Sequence, residues 1–291
     1  MTIKSTTSET VNRVIVITPA KNASGTIEDT IQSIQRNALP LEIPVTHLIV
    51  CPKNDTTKKA AERAWGSYEK GSVEVKFLED NGQGIYQAMN QGLEYVTNLL
   101  KTNEGESAEK IIVSILNADD TYTSRCLEQV VRAFNSDSTL KCVYGDLCFV
   151  NPTSSSSIVR LWVAGKLQDW KFLFGWMPPH PTVFFDAEVY LNQKFKPEKF
   201  GTSSDYELML RLLYRKGLKV KYLNSILVRM RVGGASSKAR LKALRDDYSA
   251  LRDIGLNPVF ATVAVCSKKA RAVLQIIKTR LRNFIKTNNN T

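Results

Sequence analysis

Apolar, β-branched runs and helical periodicity alternate through the first 120 residues. Residues 13–18 form a short β-branched run halted by Pro19, which predicts a buried strand. Ser24 or Gly25 then opens a helix in which Ile27, Ile31 and Ile34 recur at helical spacing. A second apolar strand is predicted over 45–51, closed by Pro52, with a helix over 56–65. Residues 73–78 alternate as a third strand. Residues 84–100 place Ile85, Ala88, Met89, Leu93 and Val96 on one helical stripe, and 111–116 are a fourth apolar strand. Strands separated by helices predict a parallel, doubly wound sheet. Such sheets bind ligands beyond the carboxyl ends of their strands. Polar residues collect at those ends: Thr18 and Asn22, Asp55, Asp80, then Asn117, Asp119 and Asp120.

The pattern is less regular afterwards. Strands are predicted over 141–150 and 158–163 with a loop over 151–157, followed by a Pro- and aromatic-rich loop over 175–181. A helix is predicted over 205–216 with Ser203 or Ser204 as N-cap. Strands over 219–223 and 226–232 follow, then helices to about residue 286. Residues 102–109 read as a surface loop. The expected organisation is a loose tail over 1–11, one α/β domain over 12–237, and a helical extension over 238–291. No apolar run approaches the roughly 18 residues of a membrane-spanning helix, and the polar start shows no secretory signal.

Three segments carry candidate chemistry. Asn117-Ala118-Asp119-Asp120 sets two adjacent carboxylates directly after a buried strand, where their repulsion calls for a cation or donors between them. Hard oxygen ligands suit Mg²⁺ or Mn²⁺; the other reading is a plain turn. In Asp80-Asn81-Gly82-Gln83-Gly84, two glycines precede a helix N-terminus, a place that favours phosphate. The spacing is neither a Walker loop nor a Rossmann fingerprint. In Ser203-Ser204-Asp205, the acid is either a first-turn helix acid or a general base.

Together these segments resemble the inverting, family 2 glycosyltransferases of bacterial polysaccharide biosynthesis. The resemblance rests on Thr18-Pro19-x-x-Asn22, on Asp80 with Gly84-Ile85-Tyr86 and Ala88-Met89-Asn90-x-Gly92, and on Asn117-Ala118-Asp119-Asp120. His180 in a Pro-His-Pro-Thr-Val-Phe-Phe segment, Asp205-Tyr206-Glu207-Leu208 with Arg211, and Arg231-x-Gly233-Gly234-x-Ser236 complete it, in the family's order. The resemblance implies a GT-A fold, Rossmann-like, with a mostly parallel central sheet flanked by helices. It divides the domain into a nucleotide-sugar half (12–120) and an acceptor half (121–237). It implies Asp205 as general base, and Asp119 with Asp120 on Mn²⁺ or Mg²⁺. Thr18, Pro19, Asn22, Cys51, Asp80, Gly84, Asn90, Asn117 and Ala118 are implied to lie around a UDP- or GDP-linked sugar. Trp176, His180, Arg211 and Arg231 fall on the acceptor or phosphate side; Trp176 either stacks on a sugar face or is an ordinary packed aromatic, His180 either lines the acceptor side or bonds backbone, and Arg211 either holds Asp205 or pairs with a surface acid. The acceptor implied is lipid-linked or a saccharide. Family members usually carry Asp where Cys51 stands, and Asn117 replaces the first acid of the metal motif. These departures keep a second class open: a weakly catalytic partner of another transferase.

Charge adds a separate feature. The chain carries 40 Lys and Arg against 28 Asp and Glu, a net of +12, and residues 238–291 hold 12 basic against 3 acidic. The remaining residues are nearly neutral, which argues against nucleic acid as the partner of the main domain. Between Pro258 and Thr291 there is no acid. Ala270, Val273, Leu274, Ile277, Leu281 and Phe284 form one stripe. Lys268, Lys269, Arg271, Lys278, Arg280, Arg282 and Lys286 flank and oppose it. This predicts a basic amphipathic helix on an anionic membrane surface. The alternative is a helix packed on the domain with a solvated basic face. Five cysteines without a Cys-x-x-Cys pair fit reduced thiols and no zinc site. The expected location is the cytoplasm, peripheral on the inner face of the plasma membrane.

Overall fold

The computed structural model describes residues 10–66, 73–102, 109–151, 154–233 and 240–288. Four strands, β1 (Arg13–Pro19), β2 (Val45–Pro52), β3 (Val73–Asp80) and β4 (Ile111–Ile115), pair in parallel in the order β3-β2-β1-β4. Helices α1 (Ile27–Ala38), α2 (Thr56–Gly66) and α3 (Ile85–Thr102) connect them. The mostly apolar runs of β1, β2 and β4 are explained by burial on both faces. Ile15 and Ile17 face α3 in one core cluster, and Val14 and Val16 belong to a second. Gly92 lies where α3 crosses β1: an added Cβ would fall 2.5 Å from Ile17 Cγ2.

The second half extends the same sheet with mixed polarity. It comprises β5 (Thr121–Tyr122), α4 (Cys126–Asn135), β6 (Cys142–Asn151), β7 (Ser154–Trp162), β8 (Phe184–Asp186) and β9 (Val220–Arg231), which give a nine-stranded sheet. β8 runs antiparallel to both β4 and β6 and joins the two halves, while β6 and β9 are parallel. Two expectations change here. The loop over 151–157 is instead a tight return into β7, which pairs antiparallel with β6 (Asn151 opposite Ser154). The two strands over 219–223 and 226–232 are one strand, β9, whose register with β6 shifts around Tyr144 and Asp146.

Short helices α5 (Asp169–Phe172), α6 (Pro197–Phe200) and α7 (Ser204–Met209) shape the rim. The helix expected over 205–216 is α7 followed by a π-helical stretch, Leu210–Arg215. Two longer helices follow, α8 (Arg240–Asp253) and α9 (Pro258–Asn288). Ala250, Leu251, Leu256, Ala261, Ala264 and Val265 belong to the same core cluster as β1 and α3. The 238–291 segment therefore shares the main core. No described helix is long and apolar enough to cross a membrane.

Candidate active site

The turn after β4 is fixed from three sides. Thr26 Oγ1 donates to the Ala118 carbonyl and Thr30 Oγ1 to the Asp120 carbonyl, both at 2.8 Å, which ties α1 to the turn. Asp120 is fully buried; its oxygens accept the Arg231 backbone N–H at 3.3 Å and the Asn117 amide at 3.4 Å. Burial, and then the Asp119 charge, raises the Asp120 carboxyl well above the usual range. Asp119 is half-buried and burial raises it too, with Arg231 pulling the other way. The Arg231 guanidinium itself pairs with Asp29 on α1. Two desolvated neighbouring carboxylates, without a direct cationic side-chain partner in this arrangement, suit a hard cation. Asp119 is the more exposed carboxylate and Asp120 the fully buried one. Among the described residues no cluster of three or more His, Cys, Asp or Glu exists.

The β1 and β2 ends are organised differently from expectation. Thr18 is fully buried, its Oγ1 2.8 Å from His47 Nε2, so its side chain points into the protein and only backbone remains for a ligand. Pro19 is buried beside it as the last residue of β1. Asn22 adopts a left-handed backbone (φ 54°) and its N–H donates to Asp55 at 2.8 Å. Burial opposes ionisation of Asp55, but bonds from Thr57 and Asn22 outweigh it and lower its pKa. Cys51 is buried with Ala20, Ile27 and Ile49, and burial, then Asp55, pushes its thiol up to about 11. Cys51 therefore stays protonated and presents no charged acceptor.

At the β3 end, Asp80 accepts the Gly82 N–H at 2.6 Å, and Gly84 holds φ 113°, a backbone that only glycine adopts without strain. This turn aims the start of α3 toward α7. Tyr86 Oη donates to Asp205 Oδ1 at 3.1 Å and lies 2.9 Å from the Thr202 carbonyl. Burial, followed by the Asp205 carboxylate, keeps the Tyr86 phenol well above its ordinary pKa, so it stays a donor. His180 is buried nearby; burial lowers it while Asp205 opposes the shift. Phe195 joins these groups, with ring centroids 5.4 Å from Tyr86 and 5.6 Å from His180. The sequence alone marks Tyr86 only as part of the Gly84-Ile85-Tyr86 segment; the bond to Asp205 is what the fold adds.

Three expected site residues have structural partners instead. Trp176 is buried, with Nε1 donating to the Ala164 carbonyl at 3.0 Å and its ring against Phe172 and Tyr144; it is core, not a sugar platform. Arg211 forms a two-pronged pair with the fully buried Glu207 and also bonds Gln193 and the Lys194 carbonyl, rather than Asp205. Asn90 clamps the Phe195 backbone in both directions, at 2.9 and 2.8 Å. The loop Arg231-x-Gly233-Gly234-x-Ser236 lies outside the described residues beyond Gly233. Beside α3 a groove of about 900 Å³ opens, lined by Asp80, Gln83, Gln87, Gln91, Asn192 and Gln193 among others.

The carboxylates after β4 and the third at the start of α7 are the candidate site of an α/β fold whose ligands bind beyond the carboxyl ends of its strands. The glycosyl transferase family 2 model matches residues 15–168, and the chain belongs to that family. Residues 1–349 of TarS from S. aureus, in complex with UDP-GlcNAc, share the fold at TM-score 0.57 and 15% identity, covering 86% of this chain and 69% of that one. The mannosyltransferase PcManGT from Pyrobaculum calidifontis, in complex with GDP-Man and Mn²⁺, matches at TM-score 0.56 and 14% identity, covering 89% and 69%. Glucosyl-3-phosphoglycerate synthase from Mycobacterium tuberculosis, with Mn²⁺, UDP and phosphoglyceric acid, matches at 0.54 and 14%, covering 84% and 80%. No curated protein matches in sequence.

Proposed function

We propose that this glycosyltransferase moves a sugar from a UDP- or GDP-linked donor to a hydroxyl of a saccharide or lipid-linked acceptor, inverting the anomeric carbon, in the synthesis of cell-surface polysaccharide. The observation that carries the reading is Asp205: a carboxylate at the start of α7, bonded by Tyr86 and neighboured by His180. Asp205 takes the acceptor's hydroxyl proton. The acceptor oxygen then bonds the anomeric carbon from the face opposite the diphosphate, and the bond from that carbon to the diphosphate breaks. Tyr86 fixes the carboxylate's orientation throughout. Asp119, supported by Asp120, would hold Mn²⁺ or Mg²⁺; when bound, that cation neutralises charge on the departing diphosphate. The Mn²⁺ in two neighbours of the same fold supports this choice of metal class. Because Cys51 is buried and uncharged, base and ribose recognition falls to Asp80 and to backbone at Pro19. The carboxamide-lined groove beside α3 suits a saccharide, since Asn and Gln both donate to and accept from sugar hydroxyls.

The test is Asp205→Asn in the full chain, given a panel of UDP- and GDP-sugars with saccharide acceptors. Nucleoside diphosphate release should fall by about 10²–10⁴ while donor binding persists, and the wild-type product should carry the inverted linkage by NMR. An Asp205→Asn protein at full transfer rate removes Asp205 from the mechanism.

A further inference from the structure

One long helix in this protein is turned inside out. On α9, Val259, Val263, Val273, Leu274, Ile277 and Leu281 are all exposed. At about 100° per residue they form one stripe about 33 Å long. The opposite side is attached to the domain. Ala261, Ala264, Val265 and Thr279 are buried; Lys268 pairs with Asp247 at 2.7 Å; Arg271 donates to the Phe174 carbonyl at 2.7 Å. The Leu161 N–H donates to Thr279 Oγ1 at 2.9 Å, which fastens the helix along β7. Lys268 and Arg271, read from the sequence among the basic residues that flank and oppose the stripe, bond to the domain. The side chains of Arg280, Arg282, Phe284 and Lys286 lie outside the described residues. An ordinary surface helix buries its large aliphatic residues and exposes its charges. Here small and polar residues make the intramolecular contact, and the aliphatic row faces outward.

The surroundings of the row say what covers it. Lys269 immediately precedes Ala270 and Lys278 immediately follows Ile277, so the two exposed lysines stand about 100° to either side of the stripe. No Asp or Glu occurs from Pro258 to Thr291. A second copy of the chain docking here would bring lysine against lysine with no acid on the row to pair them. We propose that α9 lies flat on an anionic lipid bilayer, with the aliphatic row at the acyl boundary and Lys269 and Lys278 among the headgroups. The domain rides on its inner face. The proposal does not depend on the transferase mechanism, because none of these residues belongs to the candidate active site.

The experiment is sedimentation of the full chain with phosphatidylcholine vesicles and with vesicles mixed with phosphatidylglycerol. Two variants accompany it: Val273→Ser/Leu274→Ser/Ile277→Ser and Lys269→Glu/Lys278→Glu. All five side chains are exposed, and circular dichroism with the unfolding temperature should show both variants folded as the wild type. The wild type should bind the anionic vesicles, and each variant should lose at least about tenfold in partitioning. A solvatochromic label on Cys266, the one exposed cysteine of the five, should shift to the blue on the same vesicles only. A wild type that stays in the supernatant overturns the proposal, as does a serine variant that binds equally well. So does a wild-type dimer, by light scattering, that the serine variant makes monomeric, which would assign the row to a second copy.

Discussion

One buried ring gives acidification a definable handle on this fold. His47 is fully buried on β2, with Nε2 2.8 Å from Thr18 Oγ1 and its ring 6.2 Å from the Trp65 ring. Burial lowers its pKa from 6.5 to about 3. The folded protein keeps the ring neutral while the unfolded chain protonates near 6.5, so below that pH the unfolded state binds more protons. The stability this ring contributes is present in full above the unfolded pKa and is lost as the pH falls from 6.5 toward about 3. Each pH unit inside that window costs about 1.4 kcal/mol. Moving from about pH 7 to about pH 5 therefore removes about 2 kcal/mol. His47→Gln retains an amide that can bond Thr18 but has no proton to gain. Denaturant unfolding of both proteins at the two pH values, extrapolated to water, should show the wild type losing about 2 kcal/mol more than the variant. Equal losses would refute the reasoning, because the remaining titrating groups are common to both proteins.

Three further outcomes follow from the site and its supports. Tyr86→Phe deletes the bond to Asp205 but keeps the ring against Phe195; kcat should fall about 10–100-fold, the worth of a hydrogen bond to a charged group, with the unfolding temperature nearly unchanged. Removing divalent ions with a chelator should cut nucleoside diphosphate release by at least about 10²-fold, with recovery on added Mn²⁺ for the wild type and none for Asp119→Asn. Gly175→Ala places a Cβ 2.2 Å from the Ala264 carbonyl oxygen on a backbone at φ 69°. It should cost about 3 kcal/mol or more in denaturant unfolding and expose the α8–α9 segment to protease.

Legibility in the sequence tracks how completely each element is buried. Strands β1, β2 and β4 are mostly apolar and buried, and their ends lie within a residue or so of expectation. The serines of β7 read as a loop because serine has low strand propensity, yet backbone pairing with β6 decides the conformation. Periodicity also could not separate an α-helix from the π-helical turn that follows Met209, since both keep Leu210, Leu212 and Leu213 buried. In the site, Asp119, Asp120 and Asp205 stand out through the resemblance rather than through residue type, because acids are common in turns and in first helical turns. Trp176 and Arg211 were not legible, because side-chain direction on irregular segments is set by neighbours distant in sequence, Ala164 for one and Gln193 for the other. Tyr86 was hidden by resembling an ordinary half-apolar residue on the α3 stripe.

The net charge of +12 and the acidic centre are consistent because the structure separates them. Arg231, the cation nearest the β4 turn, has its guanidinium on Asp29 and gives Asp120 only a backbone N–H. Arg211 and Lys196 both face the buried Glu207. The desolvated Asp119–Asp120 pair thus lacks a direct side-chain counterion among these arginines, and a pair left so is costly until a cation arrives. The basic surplus is carried by α9, where Lys268 and Arg271 anchor the helix and Lys269 and Lys278 remain free to meet another surface. Moving an arginine from α9 to the β4 turn would leave the net charge unchanged and fill the site with its own counterion. Under the two proposals above, it is the distribution of charge, not its total, that lets one chain attract a divalent cation at one place and an anionic surface at another.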